Sequence, residues 1–513
     1  MVCYPHDIIK ERFNARGGVN MEKEKVYVKL KKHEWPDEIA KKRMNRWVFR
    51  IVVLAVLLAF TTGWLFGNNV PVANPTPTQQ NDYSRLDAVI GQLSSVWYYG
   101  KDIENIETWL LDNAIKGMID LGGDPYTDYL TAEEVISFEQ SIDMGFVGIG
   151  VQFYVLDGLN IVERVFKNSP AERFGVLPGD IINIVEGVEV NGMPTNEIAD
   201  LVKGEVGTIV TIEFIRANEP IILEIERGEV RNSAYGEIIN DVGVIEIYQF
   251  GSTTDLEMKS YLDDMRDANI ENLIIDMRDN GGGYLESLLK IASFFLEKDT
   301  VVIQQKYKDD RIEIGRVTQD NVYDNFKKIV ILVNGNTASA SEVLTAALQE
   351  QADVTVVGET TYGKGSVQVT RPFSDGSALK VTTAQWLTPN GNLIQDIGID
   401  PDIPVKRHPV FYQDVKMLEE NEEVGLDQVS ESMAYAQKAL DFIGYDVDRM
   451  DGYTSAKTIE TINQFNKDLN LKVTNTLDVT TLQVLNTEVL RVLHTKGNEI
   501  DTQLQVALGL FNE

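Results

Sequence analysis

Three short apolar runs near the middle of the chain leave few options for its core. Leu273-Ile274-Ile275-Asp276, Ile329-Val330-Ile331-Leu332-Val333 and Val354-Thr355-Val356-Val357-Gly358 are too short for helices and too apolar for half-exposed strands. Each therefore reads as a buried strand. The first ends in Arg278-Asp279-Asn280-Gly281-Gly282-Gly283 before a helical run over 285–296, and the second runs into Asn334-Gly335-Asn336-Thr337-Ala338-Ser339-Ala340-Ser341-Glu342 and a helix over 343–349. The third leads to Glu359-Thr360-Thr361-Tyr362-Gly363-Lys364-Gly365. These strands, turns and helix starts predict an α/β core of mixed sheet and helices.

A strand, a glycine turn and a helix N-terminus expose backbone amides, which suits a phosphate or the oxyanion of acyl transfer. The rest of the composition narrows the chemistry. One cysteine, Cys3, and four histidines, His6, His33, His408 and His494, leave no intramolecular disulfide and no pair at metal-ligand spacing. A central site must work without histidine, and no metal or cofactor is expected. Ser339 and Ser341 lie at a helix start, where a serine also serves as a cap. Gly358 to Lys364 spells G-x-x-x-x-G-K, yet Gly365 stands where a phosphate-binding loop needs Ser or Thr, and 366–370 is strand-like where that loop needs a helix. A lysine between two glycines after a buried strand is instead open to desolvation, which disfavours its charge and makes it usable as a base.

At 513 residues the chain has room for roughly three domains. Its net charge of −32 argues against a nucleic-acid-binding body. Residues 51–66 carry no charge, and Trp47, Val48 and Phe49 extend the apolar stretch back past Arg50. Residues 1–50 hold 13 Lys or Arg against 7 Asp or Glu, a net of +6, and the remainder 34 against 72, a net of −38. The expectation is a basic cytoplasmic segment over 1–46, a single transmembrane anchor over 47–66 and an extracytoplasmic body. A cleaved signal peptide is the rival, with Pro71-Val72-Ala73 a poor cleavage site. A polar linker over 67–82 follows, then a helical region over 83–140 with Trp109, Leu110, Ile115, Met118 and Ile119 at helical spacing.

Short alternating runs punctuated by Gly and Pro predict a small β-rich domain over 141–228. Gly148-Ile149-Gly150-Val151 resembles the carboxylate-binding loop of PDZ domains, and Ser169-Pro170-Ala171 with Gly175-Val176-Leu177-Pro178-Gly179-Asp180 resembles the bacterial form. In that family the loop offers amides to a peptide C-terminus while the peptide adds to the sheet edge.

Thr337 to Glu342, Tyr362 to Gln368 and Arg278 to Gly283 resemble three segments of the carboxy-terminal processing (tail-specific) proteases, a serine-lysine peptidase family. The likeness runs from about Leu86 to Val405 and takes in Asp124-Pro125-Tyr126-Thr127-Asp128-Tyr129-Leu130 and Leu387-Thr388-Pro389-Asn390-Gly391. It implies a peptidase core over 229–407, Ser339 as nucleophile, Lys364 as base, Gln368 as the group that orients Lys364, and Ser341 as a cap. It also implies an oxyanion hole from Ala340 and a glycine of 281–283, here Gly282 and Gly283. Gly281 departs from the proline usual in relatives, and Tyr362 from phenylalanine. An extended chain would set Lys364 and Gln368 about 13 Å apart, so contact requires a bend, placed at Gly365.

Past a linker over 408–425, residues 426–490 resemble a three-helix peptidoglycan-binding-like domain, and 491–513 form a tail. A structural or dimerising appendage would show the same pattern. Together these readings predict a membrane-anchored multidomain α+β serine endopeptidase acting on proteins with exposed C-termini, with peptidoglycan as a further partner. Relatives often self-associate through helices flanking the protease, which makes Trp109 and its neighbours candidates for a homo-oligomer contact. The alternatives are a catalytically silent PDZ scaffold at the cell wall and a nucleotide-binding sensor.

Overall fold

The computed structural model describes residues 83–512 apart from Leu121, Met144 and Asn232, so the segments expected over 1–46, 47–66 and 67–82 lie outside the described residues. Among the described residues no helix is long and apolar enough to cross a membrane. The chain divides into two units after Gln92. The second unit opens with the end of α1 (Ser84–Val96), then α2 (Ile106–Asp120), β1 (Asp128–Leu130) and α3 (Ala132–Asp143).

A β-rich domain comes next: β2 (Gly145–Gly148), β3 (Val151–Leu156), β4 (Leu159–Val165), β5 (Ile181–Val185), β6 (Val188–Glu189), α4 (Thr195–Val202), β7 (Ile209–Arg216), β8 (Glu219–Glu226) and β9 (Gly228–Arg231). The sheet order β3-β4-β5-β7-β8 leaves β3 at an edge, and β2 pairs with β9 at the entry and exit of the domain. Val162, Ile182, Ile212 and Phe214 from alternate strand positions meet Ile198 and Val202 of α4 in one core.

The central sheet has the order β10 (Ala234–Ile239), β11 (Val242–Ile247), β12 (Asn272–Asp276), β15 (Lys328–Val333), β16 (Thr355–Gly358) and β19 (Ile403–Pro404), parallel from β11 onward. Both faces are covered, which is why its strands are apolar without interruption. Leu273, Ile275, Ile331 and Val333 face helices α5 (Thr254–Asp267), α6 (Leu285–Ala292) and α7 (Ala340–Ala352). Val242, Val244, Ile274, Val330, Leu332 and Val357 point to the other face, where they bury Leu504, Ala507 and Leu508.

A second, antiparallel sheet joins β13 (Val301–Tyr307), β14 (Ile312–Arg316), β17 (Ser366–Pro372) and β18 (Ala378–Leu387), and β1 closes it by pairing Asp128 to Leu130 with Lys380 to Ala378. The region over 83–140 is therefore not purely helical. Three of its residues are a strand of this second sheet, too short to announce themselves without β18.

The C-terminal part contains α8 (Glu431–Phe442), α9 (Ala456–Asp468), α10 (Val479–Ile500) and α11 (Thr502–Gly509). Met433, Ala436, Leu440, Ile462, Phe465 and Leu485 form a separate small core. The expected boundary at 490 falls inside α10, and the expected tail contains α11, whose leucines cover the central sheet. Arg278 ties the two ends of the body together through Asp276 and Asp501, both at 2.6 Å. Its site is buried, and the two carboxylates hold the guanidinium firmly in its charged form against that burial.

Candidate active site

Three sequence segments far apart in the chain meet at one end of the central sheet. β12, β15 and β16 are adjacent and parallel, with Asp276 beside Leu332 and Val333 beside Gly358, so the turns after them emerge side by side. This is the edge where an open parallel sheet presents its loops to a ligand.

Asn334 and Asn280 stitch the first two turns together. Asn334 Oδ1 accepts the Asp279 amide at 3.0 Å, and its Nδ2 donates to Asp279 Oδ1. The Asn280 carbonyl accepts the Ala338 amide at 2.9 Å and the Ser341 hydroxyl at 3.0 Å, while its own Nδ2 donates to the Ile247 carbonyl. Ser341 is thus no helix cap: it is fully buried within α7 and bonded across to the neighbouring turn.

Ser339 occupies the N-cap position of α7, half-buried, with φ 57° and ψ −118°. A non-glycine residue in that region is strained by roughly 1–3 kcal/mol and persists only where its surroundings hold it. Glu342, with no exposed surface, does the holding. Its Oε2 accepts the amides of Ser339 and Lys364, and its Oε1 accepts the Thr361 hydroxyl and the Gly363 amide. Sequence reasoning passed over this residue, although Ser339-x-x-Glu342 has the S-x-x-E spacing of a capping box.

Gly282 lies against Ser339 with φ +107°, and a Cβ there would fall 2.7 Å from Ser339 Cβ and 2.9 Å from the Ala340 nitrogen. Only glycine keeps the space before that amide open. The Gly282 amide itself donates to Asn280 Oδ1 at 2.8 Å, so Gly282 contributes room rather than a free donor. No hydrogen bond among the described residues uses the amides of Ala340, Gly281 or Gly283.

Lys364 follows β16 and precedes β17, which becomes regular at Ser366. Its amine is half-buried. Burial first, then the charge of Lys380, push it below the ordinary lysine range, and Glu342 opposes them. The amine lies 4.9 Å from the centroid of the Tyr126 ring. Gln368 Nε2 donates to Ser366 Oγ at 2.8 Å and Thr382 Oγ1 at 3.4 Å. Among the described residues no cluster of His, Cys, Asp and Glu side chains is arranged to hold a metal ion.

In the β-rich domain, Gly148 pairs with Gly228 and Val151 with Val165, and between them the carbonyls of Ile149 and Gly150 accept the amides of Ala171 and Phe166. Gly150 has φ +85° and sits so close to Ser169 that a Cβ would fall 2.4 Å from its Cβ. The loop's carbonyls are consumed inside the domain, and its amides precede the free edge of β3.

Comparison with known proteins agrees with this architecture. Residues 241–405 match peptidase family S41, and residues 161–216 match the PDZ domain. The chain is 32% identical to the carboxy-terminal processing protease CtpA of Bacillus subtilis (strain 168), over 91% of this chain and 98% of that protein. It is 33% identical to CtpB of the same organism, over 91% and 99%. Among solved structures it is similar to the photosystem II D1 C-terminal processing protease, with 25% identity, coverage of 63% and 87%, and a TM-score of 0.41. With an S41 core, a PDZ domain and likeness along nearly the whole of two such enzymes, this chain belongs to the carboxy-terminal processing serine protease family.

Proposed function

We propose that the protein is a membrane-anchored, extracytoplasmic endopeptidase that takes protein C-termini on its PDZ domain and cleaves peptide bonds with Ser339 and Lys364. The observation that carries the reading is the strained Ser339 backbone, bound through one buried carboxylate to the loop of a half-buried lysine. Neutral Lys364 takes the Ser339 proton as the hydroxyl oxygen attacks the peptide carbonyl carbon, and the negative oxygen is received by the amides of Ala340 and of Gly283. Collapse expels the amine, which takes its proton from Lys364. Water then attacks the acyl-enzyme ester with Lys364 again as base, and Lys364 returns that proton to the Ser339 oxygen as the acid is released.

The PDZ assignment supports capture of a peptide tail by addition to the β3 edge, with its carboxylate on the amides of Gly148 to Val151. Anchoring through 47–66 rests on the charge asymmetry about that segment. The separate helical core around Met433, Leu440 and Phe465 suits a wall-binding domain. Trp109 remains 42% exposed and stacks on Trp97 at 6.1 Å, an aromatic surface suited to self-association.

The test is cleavage of an unstructured reporter with an apolar C-terminal tail, comparing wild type with Ser339→Ala and Lys364→Ala. Turnover lost in both supports the dyad. Full activity of Lys364→Ala sinks it.

A further inference from the structure

The lysine amine of this site does not rest on the glutamine expected to orient it. Gln368 Nε2 is engaged with Ser366 and Thr382, and the Lys364 amine lies over the face of Tyr126 instead. Tyr126 comes from a distant part of the sequence, and Asp124 fixes its backbone. Asp124 Oδ1 accepts the Tyr126 amide at 3.0 Å and Asp124 Oδ2 accepts the Thr127 hydroxyl at 2.6 Å. Thr127 Oγ1 in turn accepts at 3.0 Å the amide of Thr382, the register partner of Gln368 on β18. At the other end burial, together with the nearness of Tyr362 in the same loop as Lys364, holds the Tyr126 hydroxyl above the ordinary tyrosine range.

We infer that Tyr126 is a positioning residue of the peptidase: its ring face seats the Lys364 ammonium and sets how readily that lysine yields its proton. The inference rests on Lys364 acting as the base. A tyrosine face attracts a cation through its quadrupole, and the same ring covers the amine from water. The two effects oppose each other, since the quadrupole favours the charged form and the cover disfavours it. Glu342 of α7 also favours the charge, and Lys380 of β18, 3.9 Å from Asp128 of β1, disfavours it. Tyr362 faces the Tyr126 hydroxyl, and Asp124 and Asp396 act on the ring's own titration. A substitution that keeps the cover but removes the quadrupole isolates Tyr126's part.

Pentafluorophenylalanine placed at 126 is that substitution, because it keeps the ring's shape while its reversed quadrupole no longer attracts the cation, and Tyr126→Phe, which keeps the ring, is its control. Both are assayed in the full chain by the pH dependence of kcat/KM, alongside Lys364→Ala, and a thermal melt of each shows that the ring is still seated. The acid limb, where Lys364 loses its proton, is expected to lie about half a unit to one unit lower with pentafluorophenylalanine than in Tyr126→Phe. Limbs that coincide, or a limb at higher pH with pentafluorophenylalanine, overturn the inference while loss of turnover in Lys364→Ala leaves the base assignment standing. Wild-type turnover in Lys364→Ala overturns both.

Discussion

A single oxygen of the Glu342 carboxylate accepts the backbone amides of Ser339 and Lys364, each at 2.8 Å. The proposed nucleophile and base are thus held in register by the main chain on either side of one buried side chain, rather than by contact between their own functional groups. The other oxygen takes the Thr361 hydroxyl and the Gly363 amide, so four donors converge on a group with no exposed surface. Such a group is costly to alter, because a neutral amide can accept at only one of its two ends.

Glu342→Gln is expected to lower kcat/KM on the order of 100-fold and to depress the melting temperature by several degrees. Steady-state kinetics and a thermal melt on the same preparation check this. Wild-type kinetics in the variant would show that the Ser339 and Lys364 loops keep their places without the carboxylate.

The glycines of the proposed oxyanion turn should differ sharply in tolerance. Gly282→Ala places a Cβ against Ser339 and the Ala340 amide at a positive φ, and activity is expected to fall by at least about 100-fold. Gly281 has open space around it and no positive φ, so Gly281→Ala should keep turnover within about twofold. The pair is read by kcat under saturating substrate.

Ser341→Ala should remain an active enzyme. The hydroxyl it loses donates to the Asn280 carbonyl, which still receives the Ala338 amide, so the expected cost is about 1 kcal/mol of stability. Denaturant unfolding measures the cost, and the reporter assay the activity.

Lys380 tests the electrostatics from the opposite strand. Its positive charge helps to hold Lys364 below the ordinary lysine range, so Lys380→Met should let that value rise. More alkali is then needed to free the proposed base, and the acid limb of kcat/KM should move to higher pH, by up to about one unit. A limb that moved to lower pH would contradict the assigned sign.

α11 belongs to the catalytic body and should behave so. Leu508→Asp puts a charge against the face of the central sheet formed by Val330, Leu332 and Val357, and is expected to destabilise the peptidase by about 3 kcal/mol or more. Loss of melting temperature together with increased binding of a hydrophobic dye would register it.

Much of the site's chemistry was legible in the residue order. The apolar runs 273–276, 329–333 and 354–358 are strands, and the turns after them carry the serine, lysine and glycines that the family resemblance singled out. Local rules reach that far because burial on both faces removes polar alternation from a strand, and small residues mark a turn wherever they stand. No local rule supplies adjacency. β12, β15 and β16 are neighbours although β13 and β14 intervene in the chain and go to another sheet, and that ordering alone brings Asn280, Ser339 and Lys364 together. The same holds for β1, whose three residues acquire meaning only beside β18, and for α11, whose leucines find the bare face of a sheet built about 200 residues earlier. Residue identity determined which groups here are capable of chemistry. The tertiary structure decided which of them meet, because pairing across long stretches of chain depends on the whole set of buried surfaces being satisfied at once, and no segment carries that condition by itself.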